Sequence, residues 1–171
     1  MITFELAIGC RGMSGLPRIG LPLAALLSAA LAACGASEGN SAEDKNAYVE
    51  RINAAQRTYS VTVTNVKRSV TPKSTPRQDQ RTIENFRAAI ADIIENLQTI
   101  KVPSDVRGEH ALLVAAMNGF GKDIARVATT LRRQTSQAVV EVQRMLGAAT
   151  ITVNTKLATA REAINRRLGS T

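Results

Sequence analysis

The sequence predicts an all-α protein that folds as an up-down antiparallel four-helix bundle. The chain of 171 residues contains only 11 Gly and 5 Pro, so it has few of the residues that form turns. Apolar residues recur every three or four positions along four long segments, which is the period of an amphipathic helix. Long helices joined by short loops favour an up-down bundle.

The first two helices are predicted on either side of a loop that contains two prolines. Ser41 followed by Asp44 is similar to a capping box and indicates where the first helix begins. Residues 71–78 are predicted to form the loop, with Thr75 as the N-cap and Pro76 at the first helical position. The first apolar stripe consists of Tyr48, Ile52, Ala55, Tyr59, Val63, Val66 and Val70, and the second of Ile83, Phe86, Ile90, Ile93, Leu97 and Ile100.

The third and fourth helices are separated by a segment without a clear turn signal. Ser104 is predicted to cap the third helix. Residues 132–137 are polar but contain neither Gly nor Pro, so a continuous helix that breaks at Gly147 is an alternative to a turn here. The third stripe consists of Val106, His110, Leu113, Met117, Phe120, Ile124, Val127 and Leu131, and the fourth of Val139, Val142, Leu146, Ala149, Val153, Leu157, Ala160, Ile164 and Leu168.

Residues 1–33 have the layout of a signal peptide that is removed on export. Arg11 and Arg18 precede an apolar run over 19–33, which then ends in small residues. This run of about 15 residues is shorter than the roughly 20 that span a bilayer. Translation is expected to start at Met13, which would leave Cys10 outside the protein.

The end of this segment, Leu31-Ala32-Ala33-Cys34, resembles the lipobox of bacterial lipoproteins. The resemblance implies cleavage after Ala33, diacylglycerol on the Cys34 thiol, and a location on the extracytoplasmic face of a bacterial membrane. Residues 34–42 would then be the lipidated cysteine and a flexible tether, and residues 43–171 the bundle domain. With Cys34 committed to lipid, the mature chain has no thiol for a disulfide or a metal site.

A second resemblance covers about 20 residues of the mature chain. Residues 97–106, followed by His110 and Leu113, resemble a pattern in uncharacterised small helical lipoproteins of high-GC Gram-positive bacteria. It implies a helical lipoprotein and points to no particular activity.

Catalytic and metal sites are not expected. His110, beside Glu109, is the one histidine, and a metal site needs three or four ligands. We predict that His110 packs against the core and bonds to the neighbouring turn rather than acting as a general base. Neither a cofactor nor an enzymatic activity is predicted. Solvated helix faces are expected to carry the carboxylates Glu84, Asp92, Glu95, Glu109, Asp123, Glu141 and Glu162.

The net charge of +8 points to an acidic partner. In an up-down bundle seven basic residues would gather at the end remote from the tether, where Asp79 alone would offset them. We call these seven residues the basic cap and predict that it binds an anionic envelope polymer or an acidic protein; nucleic acid is not an expected partner of an exported protein. The members of the basic cap are Lys67, Arg68, Lys73, Arg77, Arg81, Arg132 and Arg133.

The alternative function is a carrier that sequesters a hydrophobic small molecule or lipid between its helices. The small stripe residues Ala55, Ala149 and Ala160 can leave room for an acyl chain. Tight packing of helices at alanine is the more common outcome, so a closed core is the expectation here. A continuous apolar pocket above roughly 300 Å³ would favour the carrier.

Overall fold

The computed structural model describes residues 41–169 except Pro72 and Gln134. This part of the chain contains four α-helices and no strand. They are α1 (Ala42–Ser69), α2 (Pro76–Gln98), α3 (Arg107–Leu131) and α4 (Ser136–Gly169). The helices pack against one another, which confirms the predicted all-α four-helix bundle. The predicted signal peptide, Cys34 and the tether up to residue 40 lie outside the described residues.

The first two helices begin at the predicted N-caps. The Ser41 hydroxyl oxygen accepts a hydrogen bond from the Asp44 backbone N–H at 3.0 Å. At the start of α2, Thr75 and Gln78 form a reciprocal capping box, with bonds of 3.3 and 2.9 Å. Because α2 already begins at Pro76, the loop before it is shorter than the predicted 71–78.

The predicted start of the third helix is wrong. Ser104 opens a short 3₁₀ turn, Ser104–Val106, and α3 begins at Arg107 without a side-chain N-cap bond. In this turn the Val106 N–H donates to the Pro103 carbonyl at 3.2 Å, and Val106 is fully buried. Because Val106 inserts into the core within this turn, α3 begins later in the chain than the predicted cap at Ser104 implies.

The turn between the last two helices lies where the polar segment predicts it. Helix α3 ends at Leu131 and α4 begins at Ser136. The Thr135 hydroxyl accepts a hydrogen bond from the Ala138 N–H at 3.1 Å, as an N-cap side chain does. The alternative of one helix that breaks at Gly147 is therefore wrong, because Gly147 lies inside α4.

The predicted stripes form the core. At mid-height the Phe120 ring contacts Tyr59 and Phe86 edge-to-face, with centroids 5.8 and 5.9 Å apart. At Gly121 of α3 the side chain of Ile94 on α2 packs closely, so that an added Cβ would lie 3.2 Å from it. Ala55, Val63, Val139, Leu157 and Leu168 pack against the core half-buried, and the other stripe residues are buried.

Cross-helix contacts define two ends of the bundle. At one end, where α1 begins, Tyr48 contacts His110 near the start of α3, and Glu109 pairs with Arg167 near the end of α4. We call this the entry end. The opposite end holds the α1–α2 loop and the α3–α4 turn.

Among the described helices, none is long and apolar enough to cross a membrane.

Candidate functional site

The basic cap lies at the end opposite the entry end, and its seven side chains are exposed. Lys67 and Arg68 close α1, Lys73 lies in the following loop, and Arg77 and Arg81 occupy the first turns of α2. Arg132 and Arg133 follow the last residue of α3. Two helices, the loop between them and the turn after α3 therefore contribute basic residues to one end of the bundle.

Ion pairing differs sharply between the two ends. At the entry end, Lys45 bonds to Asp105 at 3.0 Å, Lys101 to Asp44 at 3.0 Å and Arg167 to Glu109 at 3.2 Å. The Asp44 carboxyl has its pKa lowered, first by the Ser41 hydroxyl and then by Lys101. These three pairs join different elements, and each pairs one cation of this end with a carboxylate.

In the basic cap, among the described residues, Arg133 is the one member with an ion-pair partner. It lies 3.4 Å from Glu141, which the sequence count of charges at this end missed. Glu141 belongs to the second turn of α4, and antiparallel packing brings that turn back beside the end of α3. Six cationic side chains remain without an ion pair to any described carboxylate.

Asp79, the acidic residue counted against the basic cap, lies in the core rather than at the surface. Its side chain is fully buried, at 0% exposure, and neither carboxyl oxygen has a hydrogen-bond partner among the described residues. Asp79 precedes Ile83 by one helical turn and lies on the apolar stripe of α2. The periodicity that places Ile83 in the core therefore places Asp79 there as well.

A cavity of about 270 Å³ lies among the four helices and is partly open to solvent, because exposed residues such as Gln56 and Asn154 belong to its lining. Its apolar wall comes from all four helices and includes Ala55, one of the small residues of the first stripe. Ala149 and Ala160 do not line it. The apolar wall consists of Ile52, Ala55, Ile93, Leu97, Leu113, Met117, Leu157 and Ala158.

Polar groups of α1 and α4 line the remainder of the cavity. The Tyr59 hydroxyl donates a hydrogen bond to Asn154 Oδ1 at 3.0 Å and joins the two helices. Burial raises the pKa of Tyr59 to about 12, so this hydroxyl stays a neutral donor. Arg161 also lines the cavity, and it forms no ion pair with any described residue.

His110 lies in the core near the entry end, bonded at both ring nitrogens. Its Nε2 lies 3.1 Å from the Leu97 carbonyl oxygen, so Nε2 carries the proton and donates. Nδ1 is then the acceptor for the Tyr48 hydroxyl at 3.2 Å. Burial lowers the pKa of His110, and the bond to Leu97 opposes part of that shift. His110 packs in the core as predicted, but its ring bonds to Leu97 in the last turn of α2 and to Tyr48 of α1 rather than to the neighbouring turn of α3.

The carboxylates do not converge on a common centre. No group of three His, Cys, Asp or Glu residues that could hold a metal occurs among the described residues. Three of the carboxylates predicted on solvated faces are in ion pairs: Glu109 with Arg167, Asp123 with Arg126 and Glu141 with Arg133. In the described part of the chain, the candidate sites are therefore the exposed basic cap and the largely apolar cavity.

A scan against protein-family models finds no match for this chain, and searches of curated proteins and of solved structures find none.

Proposed function

We propose that this chain is an extracytoplasmic lipoprotein, anchored through lipid on Cys34, and that its bundle binds an acidic partner through the basic cap without catalysing a reaction. The partner would be an anionic envelope polymer or an acidic protein surface. One observation carries the assignment of the binding surface: seven exposed basic residues lie together at one end of the bundle, and among them Arg133 alone has an ion-pair partner among the described residues.

The lipid anchor is tested by mass and by substitution of Cys34. We expect the native membrane extract to contain a chain that begins at Cys34 and carries diacylglycerol, identified by intact mass and N-terminal peptide mapping. Cys34→Ala should abolish lipid attachment and release the protein from the membrane fraction. Ser37→Ala, an equally small change within the predicted tether, is the matched control and should change neither. An unlipidated wild-type chain released at another site would overturn the anchor.

Unpaired cations attract a polyanion because their fields add within the screening length. That length is about 10 Å at 0.1 M salt, so neighbouring members of the basic cap act together on one polymer segment. Lys and Arg at helix C-termini also complement the helix dipole, which accounts for Lys67, Arg68, Arg132 and Arg133. The helix dipole does not explain Lys73, which lies in the loop, or Arg77 and Arg81, which lie near the start of α2.

The binding test therefore targets those three residues. We expect Lys73→Glu/Arg77→Glu/Arg81→Glu to weaken binding of a poly(glycerol phosphate) probe at least tenfold at about 0.05 M salt, with a smaller difference at higher salt. Binding is measured by calorimetry on the purified protein. Reversal of three exposed basic residues elsewhere changes the net charge equally and should weaken binding less than threefold: Arg51→Glu, Lys122→Glu and Lys156→Glu. Equal losses in both triple variants would show that net charge, not the cap, attracts the probe.

A second candidate function is that of a carrier for a hydrophobic small molecule. The cavity volume of about 270 Å³ lies just below the roughly 300 Å³ that would by itself favour a carrier, so this candidate depends on the residues that line the cavity. Its wall is mainly aliphatic and comes from all four helices. Saturable binding of an uncharged alkyl alcohol by the folded protein tests this function.

A further inference from the structure

The polar groups of the cavity are arranged along its length. Asn154 and Arg161 are two helical turns apart on α4, which corresponds to about 10 Å along the helix axis. The Tyr59–Asn154 hydrogen bond marks the side towards the basic cap, and Arg161 lies towards the entry end, as the antiparallel course of α4 requires. The lining also includes Gln56 and Ser60 of α1, and the remaining lining residues are apolar.

Arg161 is the one formally charged residue among those that line the cavity. Its side chain is exposed and forms no ion pair with any described residue, so its guanidinium is available to a ligand. A guanidinium binds a carboxylate through two parallel hydrogen bonds, a geometry that neither an alcohol nor an ammonium group provides. The excess positive charge of the protein also disfavours a cationic ligand.

We infer that the cavity binds a medium-chain alkyl carboxylate, with the alkyl chain between the four helices and the carboxylate on Arg161. This inference rests on the proposed carrier function and names its ligand class. A volume of about 270 Å³ is equivalent to about nine water molecules at roughly 30 Å³ each, and a methylene group is of similar size. A chain of roughly eight to ten carbons therefore matches the cavity in volume.

The test compares decanoate, decanol and decyltrimethylammonium by calorimetry on the full chain in phospholipid nanodiscs, with empty nanodiscs as the blank. We expect decanoate to bind at least tenfold more tightly than decanol, and decyltrimethylammonium to bind most weakly. Arg161→Gln should reduce decanoate affinity at least tenfold and leave decanol unchanged. Lys156→Gln, an exposed residue of the same helix outside the cavity, is the matched control and should alter neither.

Two further outcomes separate the ligand class from the carrier function. Equal affinity for decanoate and decanol, unaffected by Arg161→Gln, would overturn the carboxylate ligand and leave the carrier intact. Absence of saturable binding for both alkyl probes would overturn the ligand class and the carrier together. Ala158→Leu fills the cavity and should abolish binding of both probes while circular dichroism shows an unchanged helix content. Undiminished binding in this folded variant would place the ligand outside the cavity and overturn the inference.

Discussion

Replacement of His110 by leucine is expected to lower the free energy of unfolding by about 2 to 3 kcal/mol at pH 7.5. Leucine retains an apolar side chain in this core position but can bond to neither neighbour. The Tyr48 hydroxyl, on a side chain that is 1% exposed, would lose its acceptor on His110. The Leu97 carbonyl suffers less, because the Ile100 N–H also approaches it at 3.4 Å.

A double-mutant cycle separates the orphaned hydroxyl from loss of packing. Tyr48→Phe alone should cost about 1 kcal/mol, since it removes the donor to Nδ1. In the His110→Leu background the same change should be neutral or stabilising, because it removes a hydroxyl that is already without an acceptor. Urea unfolding at pH 7.5 measures all four proteins. Additive costs would show that Tyr48 and His110 are not coupled.

The pH dependence of stability provides an independent measurement on His110. Burial lowers the folded-state pKa of His110 below the ordinary value of 6.5, so the unfolded chain binds the proton more readily. The resulting stabilisation is fully present above pH 6.5 and is lost as the pH falls below that value towards the folded-state pKa. Wild-type stability should therefore fall more steeply than that of His110→Leu between pH 7.5 and 5.0. Parallel profiles would contradict the assigned neutral ring.

Local features of the fold could be predicted from sequence because local periodicity determines them. The stripe from Ile83 to Ile100 repeats at helical spacing, and each of its members is buried. The Ser41 and Thr75 N-caps depend on bonds three residues away, so short motifs identify them. The start of α3 was not accessible in this way, because it depends on insertion of Val106 into the core.

The candidate sites depend on contacts between residues far apart in the chain, which periodicity does not specify. Tyr48 and His110 are 62 positions apart, and Tyr59 and Asn154 are 95 apart. The cavity could not be predicted because its position depends on how the four helices are placed relative to one another. The alanines of the stripes did not indicate at which height along the bundle a cavity would form. For Arg161 the available signal was a basic residue four positions after Leu157 of the apolar stripe, which alone does not distinguish a cavity rim from solvent.

Replacement of Asp79 by leucine is expected to raise the free energy of unfolding by about 1 to 4 kcal/mol. Both oxygens of this fully buried carboxyl group are without hydrogen-bond partners among the described residues. A buried acceptor left unsatisfied costs about 1 to 3 kcal/mol, and more when it is charged. Its position near the start of α2 recovers only about 0.3 to 1 kcal/mol through the helix dipole. Asp79 therefore destabilises the folded protein relative to leucine at this position.

Two further variants show whether polarity or volume is responsible. Asp79→Asn preserves the volume and removes the formal charge, so its stability should lie between those of the wild type and Asp79→Leu. Asp92→Leu replaces an exposed carboxylate of the same helix and should change stability by less than about 0.5 kcal/mol. Urea unfolding gives each value. A loss of more than about 1 kcal/mol in Asp79→Leu would show that the carboxyl group has a partner that the fold requires.

Comparison of stability with polyanion binding then distinguishes two reasons for an aspartate at this position. Asp79 is the one acidic residue in the first turn of α2, which also bears Arg77 of the basic cap. If Asp79→Leu is more stable and binds poly(glycerol phosphate) as tightly as the wild type or more so, the carboxyl group is a stability defect beneath the cap. Tighter binding is the expected direction, since a negative charge near the cap is removed. A more stable variant with weaker binding would instead assign Asp79 to positioning the cap residues for the partner.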